Sequence, residues 1–514
     1  MSLLKKHWLL LTLLAIGIFV RTYDFGNIPP GLNQDEASTG YDAFALLHFG
    51  TDRNGYANPV MLVSWGSGMY PLPTYLLIPI FALFGTSVFT LRLLQLLGGI
   101  ATLLLFYDFL RRNETLYFAL LALFLLIISP WHIMMSRWAL DSNLLPFTFL
   151  AGTYCISRAK QHSGWLIAAS IIFALTFYSY GTAYVITPLF LLLISPYVIF
   201  SVHHKRKTFV ISLAVFLIIA APILYYVLCN QFNWPEIITP FFSIPHLPGP
   251  ARFQTVSSLF HGNALREIGN NFWNTLHLLI NGSDGLIWNS FGAYGYMYTP
   301  ALFLCVLGVL AVLIRRQWKQ PLYFYFLLWL FSAFVLALLQ PVNINRINII
   351  FLPIIFFVAC GIRALSRTKE ILIGFLLLFS VFFAHFTINY FQSYNTEAEG
   401  AFFASFGEAI HFAAQKTHGN ICVTDHVNMP YIFVLFYEKI DPRRFYETVV
   451  YKNPGSEFQQ VLSFDRFTFG LSRCIDSLPA AIIATKQEAA KIDHDVYDTT
   501  PFTRYVVGIR KNAL

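Results

Sequence analysis

The stretch Leu116-Tyr-Phe-Ala-Leu-Leu-Ala-Leu-Phe-Leu-Leu-Ile-Ile128 runs without a single charge between Arg111/Arg112 on one side and Trp131-His132 on the other. Runs of the same kind stand at Trp8–Val20 and Leu372–Phe383. Over the whole chain of 514 residues, 56% are hydrophobic and 12% charged, and Phe alone occurs 52 times. A soluble domain carries roughly 25% charged residues, so a water-soluble fold could not hide this much apolar surface. Lipid must be the solvent for most of the chain, which marks an α-helical polytopic membrane protein. The first run follows Lys5 and Lys6, a pattern that also suits a signal peptide; no small-residue cleavage site follows it and many further runs do, so a retained anchor is expected.

Hydropathy with basic flanks predicts spans near 7–23, 88–110, 115–129, 144–158, 164–180, 183–200, 208–228, 298–314, 321–340, 347–362 and 371–391, about 11 transmembrane helices. The groups Lys5/Lys6, Arg111/Arg112, Arg158/Lys160, Lys205–Lys207, Arg315/Arg316/Lys319 and Arg363/Arg367/Lys369 all fall on alternate loops. By the positive-inside rule those loops are cytoplasmic. The first loop (24–87), a large loop (229–297) and everything after the last span are then expected outside. The apolar run Leu72–Phe84, opened by Pro71 and Pro73, is shorter than the ~20 residues a span needs and is read as lying along the membrane surface. Should it cross, the spans become twelve and the orientation downstream reverses.

After Tyr390 charges become regular and apolar runs short. Two domains follow, a transmembrane domain over 1–391 and a small extracytoplasmic α/β domain over 392–514. Within the second, a helix is expected at Glu408–Lys416, a strand at Ile421–Thr424 and a helix at Pro430–Glu438. Six cysteines without a CxxC pair argue against a zinc or redox motif. Cys422 and Cys474 share the tail, and either a disulfide in an oxidising space or two free thiols fits them. The net charge of +8 comes mainly from short loops, which gives no reason to expect nucleic acid as a partner.

Candidate chemistry gathers in the expected exterior loops. The first begins Asn27-Ile-Pro-Pro-Gly-Leu-Asn-Gln-Asp35-Glu36-Ala-Ser-Thr-Gly40-Tyr-Asp42. A carboxylate held at a lipid surface, with a proton affinity suited to the task, can activate an acceptor hydroxyl. The plainer alternative is capping: Asn33 or Asp35 starts a helix to about Leu47, with acids favoured in its first turn. The second loop reads Ser129-Pro-Trp131-His132-Ile-Met-Met-Ser-Arg137-Trp-Ala-Leu-Asp141-Ser-Asn143. Its Arg137 suits bidentate grip of a phosphate, or an i, i+4 pair with Asp141 were both on one helix. His132 is a supporting candidate or an interfacial residue without a role.

These segments resemble a family. Asp35-Glu36 after the first span, Pro-Leu-Pro-Thr-Tyr-Leu at 71–76 and Arg92-Leu-Leu before the next span are similar to the superfamily of dolichyl-phosphate-mannose protein mannosyltransferases and aminoarabinose transferases. Arg137-Trp-Ala-Leu-Asp141-Ser resembles the Arg-x-x-x-Asp segment of the protein mannosyltransferases, and Ser283-Asp284-Gly285-Leu-Ile-Trp288-Asn289 through Tyr294-Gly295 resembles the end of the large loop in bacterial members. The resemblance covers roughly residues 8–360. It implies a C-type glycosyltransferase fold in the cell membrane, multi-pass, acting on the exterior face with a polyprenyl-phosphate sugar donor. It further implies Asp35 as general base and Glu36 as a catalytic neighbour orienting donor or acceptor. Arg137 and Arg346, the latter in Asn343-Ile-Asn-Arg-Ile-Asn348, would bind the donor phosphate, with Asp141 holding Arg137; the alternative for Arg346 is an ordinary exterior loop arginine. The large loop holds no inserted β-trefoil domain, so the acceptor is left as a glycan, lipid or protein of the cell envelope.

The expected reaction is inverting: Asp35 deprotonates an acceptor hydroxyl, which displaces the polyprenyl phosphate at the anomeric carbon. Fixed positive groups stabilise the phosphate more strongly near the headgroups than in water. The chain has no Walker-type glycine loop, as expected for a donor already activated as a lipid phosphate. No cofactor is required; a divalent cation beside Asp35 and Asp141 is compatible with the acids, although no pattern demands one. The rival class is a transporter or flippase for a lipid-linked sugar. Transporters place polar residues in mid-span, whereas the acids and arginines here cluster at exterior ends. A non-catalytic assembly partner, with the tail as binding module, is the third reading.

Overall fold

The computed structural model describes residues 2–201, 206–249 and 263–511. Lys205 and residues 250–262 of the expected large loop lie outside these, as do the side chains of Lys5 and Lys6. The chain forms two compact units. One comprises Met1–Phe25, Gln95–Pro222 and Phe253–Tyr394, the other Gly26–Leu94, Ile223–Arg252 and Asn395–Leu514. The second unit therefore takes in residues 26–94 and 223–252 as well as the tail.

Helices stand at each of the eleven stretches read as spans. Among the described residues six are long and apolar enough to cross a bilayer: Val88–Asn113, Ala183–Phe200, Lys207–Phe232, Pro321–Leu338, Ile344–Leu365 and Lys369–Ala398. Trp8–Thr22, Leu116–Ile128, Gly164–Thr176 and Ala301–Ile314 are shorter apolar helices, and Leu145–Arg158 has 14 residues. One reason for shortness is visible in the opening stretch. Helix α5 (Leu116–Ile128) stops at Ser129, whose Oγ accepts from His132 N and caps a new helix, α6 (Pro130–Met135). Pro130 supplies no N–H to continue α5 but suits the first turn of α6.

Small residues let helices approach in the first unit. Gly308 and Gly361 face each other between Ala301–Ile314 and Phe351–Leu365; a Cβ on either would strike a main-chain carbonyl, of Phe357 or of Leu304. Aromatic rings fill the remainder, as where Phe326 stacks on Phe356 with centroids 4.1 Å apart. At one end of this unit Arg363 Nη1 meets Glu114 Oε2 at 3.2 Å, and Tyr323 bonds both partners. That contact gathers three loops which the basic-residue pattern put on one side.

In the second unit, helices α2 (Gln34–Phe49) and α3 (Pro71–Phe84) pack together, and α2 also lies on the helix Pro430–Glu438 of the tail. Tyr41 Oη donates to Ile440 O at 2.7 Å. Gly40 permits the crossing, since a Cβ there would sit 2.7 Å from the Phe436 ring. Beyond a two-stranded piece, β1 (Ile237–Ile238) with β2 (Ser243–Ile244), the tail holds a seven-stranded mixed sheet. Its strands are β3 (Ile421–Val423), β4 (Val450–Tyr451), β5 (Val461–Phe464), β6 (Phe467–Phe469), β7 (Ala481–Thr485), β8 (Tyr497–Pro501) and β9 (Tyr505–Arg510). They lie in the order β4-β5-β6-β3-β7-β9-β8, with β3 parallel to both β6 and β7 and the other pairs antiparallel. The helix at Pro430–Glu438 and the strand from Ile421 stand where the sequence put them, while the helix before them begins at Phe406 rather than Glu408. Cys422 and Cys474 form a disulfide, Cα to Cα 5.7 Å, within the apolar cluster of Leu471, Ile482, Ala484, Ile492 and Tyr497. This resolves the alternative left open in favour of the bridge.

Candidate functional site

The Asp35-Glu36 pair begins α2, and both expectations for that segment meet there. Asn33 caps the helix: its Oδ1 accepts from Asp35 N at 3.0 Å, and Glu36 reaches back to Asn33 N at 3.1 Å, completing a capping box. Glu36 is entirely buried with Arg92, whose Nε and Nη2 meet its two carboxylate oxygens at 2.8 and 2.9 Å. The rest of the Arg92 fork takes the carbonyls of Gly26, Pro29 and Gly31. Thus Arg92 fastens the segment leading into α2 to the carboxylate inside it. The side chain of Glu36, expected to orient donor or acceptor, is fully buried in this pairing. Asp35, one residue earlier, is half-buried.

A second charged cluster in this unit escaped the sequence reading. Asp42 and Arg53 form a buried pair at 2.7 Å, and Arg53 also donates to Ser38 and lies over the Trp65 ring. Beside them Asp52 is fully buried; its Oδ1 accepts from Asn54 N and Tyr56 N at 2.9 Å, while Oδ2 has no hydrogen-bond partner. Burial, with the Asp42 charge adding to it, pushes the Asp52 carboxyl up to about 7. The nearest hint in the sequence was Asp42 on the same helix face as Ser38, a spacing too common to single out.

In the first unit Arg137 is wholly buried. Its Nη1 donates to the carbonyls of Val20 and Arg21 and its Nη2 to those of Tyr23 and Asp24, with bonds between 2.7 and 3.2 Å. It lies over the rings of Phe391 and Tyr390 at 5.5 and 5.9 Å. The carbonyls at the end of helix α1 (Ser2–Thr22) lack intrahelical donors and carry the negative end of its dipole, which is where a guanidinium is favoured. To bind a phosphate, Arg137 would have to exchange some of these bonds. The i, i+4 reading of Arg137 and Asp141 does not apply, because α6 ends at Met135 before either. Asp141 opens a short turn and accepts from Ser142 N at 2.7 Å. His132 is buried, and its Nδ1 lies 2.6 Å from Arg21 Nη2. Burial and the Arg21 charge push its imidazole well below the usual value.

The remaining motifs of this unit converge. Ser129 Oγ donates to Tyr296 O at 2.8 Å, and Tyr298 Oη to Ile128 O at 2.7 Å, which joins the segment from Ser129 to Asn143 to Gly295-Tyr296. Asp284 Oδ2 accepts from Asn289 Nδ2 at 2.6 Å and from Ile344 N at 2.8 Å, tying the Ser283–Asn289 segment to the loop that carries Arg346. Asn348 Nδ2 in turn donates to Ser142 O. Arg346 is half-buried, with Nη1 on Pro341 O. Asp35 belongs to the second unit, Arg137, Asp141 and Arg346 to the first. Among the described residues a convergence of potential metal ligands occurs at Asp425, His426 and Glu488 in the tail.

Residues 69–226 match the model of the family described as dolichyl-phosphate-mannose-protein mannosyltransferase. No curated protein sequence matches the chain. Among solved structures the chain is similar to ArnT from Cupriavidus metallidurans in the apo state, with TM-score 0.55 and 12% identity over 98% of this chain and 97% of that one. The same ArnT bound to undecaprenyl phosphate gives 0.52 and 11% over the same shares. The archaeal oligosaccharyltransferase AglB from Archaeoglobus fulgidus, in complex with an inhibitory peptide and a dolichol-phosphate, gives 0.51 and 15% over 84% of this chain and 64% of that one. The resemblance read from the sequence is borne out: the chain has the fold seen in ArnT and AglB, and its residues 69–226 match the mannosyltransferase family model.

Proposed function

We propose that the chain transfers a sugar from a polyprenyl-phosphate-linked donor to an acceptor on the exterior face of the cell membrane, with Asp35 as general base and inversion at the anomeric carbon. The observation that carries this reading is the unequal treatment of two adjacent acids. Arg92 and the capping box bury Glu36 completely, while Asp35, in the same first turn, is half-buried. A base must be rigidly placed yet reachable by the hydroxyl it deprotonates. The fold supports the donor class, since ArnT and AglB of that fold have been captured with undecaprenyl phosphate and a dolichol-phosphate. The disulfide in the tail supports an oxidising, exterior side for that domain.

Arg346 and Arg137 are proposed for the departing phosphate, Arg346 being the half-buried one and Arg137 needing to loosen its hold on α1. The test is Asp35→Asn in membranes supplied with a labelled polyprenyl-phosphate sugar pool. Loss of transfer by roughly 10²–10⁴-fold is expected, the usual share of a general base; transfer at the normal rate overturns the role.

A further inference from the structure

The parallel strands β6, β3 and β7 end side by side, and chemistry-bearing side chains follow each of them. After β3 come Thr424, Asp425 and His426; Gly470 and Arg473 follow β6, and Glu488 follows β7. In open sheets with parallel strands, ligands characteristically bind just beyond such carboxyl ends. We propose that this edge is a binding site for a divalent cation of the zinc class, held by Asp425, His426 and Glu488.

Three observations carry it. One ligand atom from each residue lies within 4.8 Å of the others, a spacing that a small inward shift of side chains closes around one ion. The Glu488 side chain is only 7% exposed, and its two oxygens are used unequally. Oε2 accepts from Thr424 Oγ1 at 2.6 Å, Thr485 Oγ1 at 2.9 Å and Thr485 N at 3.1 Å. Oε1 is turned toward His426, whose Nε2 stands 3.6 Å away, beyond hydrogen-bond reach. A carboxylate on a largely buried side chain, with one oxygen locked by three donors and the other facing an imidazole, resembles a metal ligand with its supporting shell. Third, Gly470 leaves space beside Asp425: a Cβ there would sit 2.8 Å from Asp425 Oδ2 and 2.9 Å from Arg473 Nη1.

The donor set selects the ion. An imidazole with two carboxylates suits Zn²⁺ and its neighbours, whereas Mg²⁺ and Ca²⁺ take oxygen ligands. Asp425 and His426 are exposed, so water or an anionic ligand would complete the coordination sphere. Arg473 Nη1 stands 3.8 Å from Asp425 Oδ2 while bonding Phe469 O at 2.8 Å, and it competes with an ion for that oxygen.

The experiment uses the full chain purified in detergent, stripped of metal and titrated with Zn²⁺ or Mg²⁺. His426→Ala removes an exposed ligand without touching the Glu488 anchors. The wild type is expected to bind one more Zn²⁺ per chain than His426→Ala, to lose at least tenfold in affinity in Glu488→Gln, and to gain affinity in Arg473→Ala. Thermal melting should rise with Zn²⁺ in the wild type and not in His426→Ala, because an ion that binds only the folded state stabilises it. Equal Zn²⁺ uptake by the wild type and His426→Ala, uptake by neither, or a response to Mg²⁺ alone would overturn the site. Comparing melts of the metal-free proteins separates misfolding of Glu488→Gln from loss of the ligand.

Discussion

Two buried arginines fasten the two regions where the candidate chemistry lies, and they do so differently. Arg92 of the second unit divides its fork between a buried carboxylate, Glu36, and three carbonyls of the segment before α2. Arg137 of the first unit puts both Nη atoms on four carbonyls at the end of α1 and lies over two aromatic rings. In one case a charge is matched by a charge; in the other it is spread over dipoles that already point at it. The difference teaches that an arginine of a candidate site can serve the backbone first, and that its chemical availability depends on what those bonds cost to exchange.

The comparison can be broken by substitution. Glu36→Ala leaves Arg92 buried without its carboxylate, and about 3–5 kcal/mol of destabilisation is expected in chemical denaturation of the detergent-solubilised protein. A loss below 1 kcal/mol would mean that Arg92 is held by its carbonyls alone, as in the other region. Arg137→Lys keeps a charge but loses the planar fork, so its ammonium reaches fewer of the four carbonyls. A loss of roughly 2–3 kcal/mol should follow, seen as earlier proteolysis at the end of α1. If Arg137→Lys instead leaves stability intact and weakens use of the donor, the guanidinium works on phosphate rather than on the helix.

A further effect concerns Asp52, the buried acid of the second unit that no arginine matches as Arg92 matches Glu36. Unfolded, it ionises near pH 4; folded, it holds its proton up to about 7. Between these values the folded chain binds the extra proton, so stability falls as pH rises through that window and is level above it. Asp52→Asn should remove that slope and raise the melting temperature at pH 8 by about 2–4 °C over the wild type, with little difference near pH 4. Parallel pH profiles for the two proteins would show that Asp52 ionises normally.

The membrane class was legible because hydropathy is a local property, and eleven runs such as Leu116–Ile128 announce it independently. The start of α2 was legible too: Asn33 and the acids after it are a capping pattern, and the structure builds the full box. The resemblance that carried Asp35 into view began from the same short segment and drew on others as far as Tyr294-Gly295. Illegible was the burial of Glu36 beside a half-buried Asp35, which depends on an arginine 56 residues further along the chain. The Asp42–Arg53–Asp52 cluster was missed because each residue, taken alone, looks like ordinary loop polarity.

The sequence by itself determined the solvent of the chain, the places of its helices, the α/β character of its tail and the family it resembles, since all of these follow from composition and near-neighbour pattern. Only the tertiary structure decided that residues 26–94 share a unit with the tail, sealed by a bond from Tyr41 to Ile440 across 399 residues. It also decided that Glu36 is buried while its neighbour Asp35 is half-buried, and that Arg137 holds a helix end. Hydrogen bonds act over about 3 Å, and which groups come that close is settled by how whole helices and strands pack.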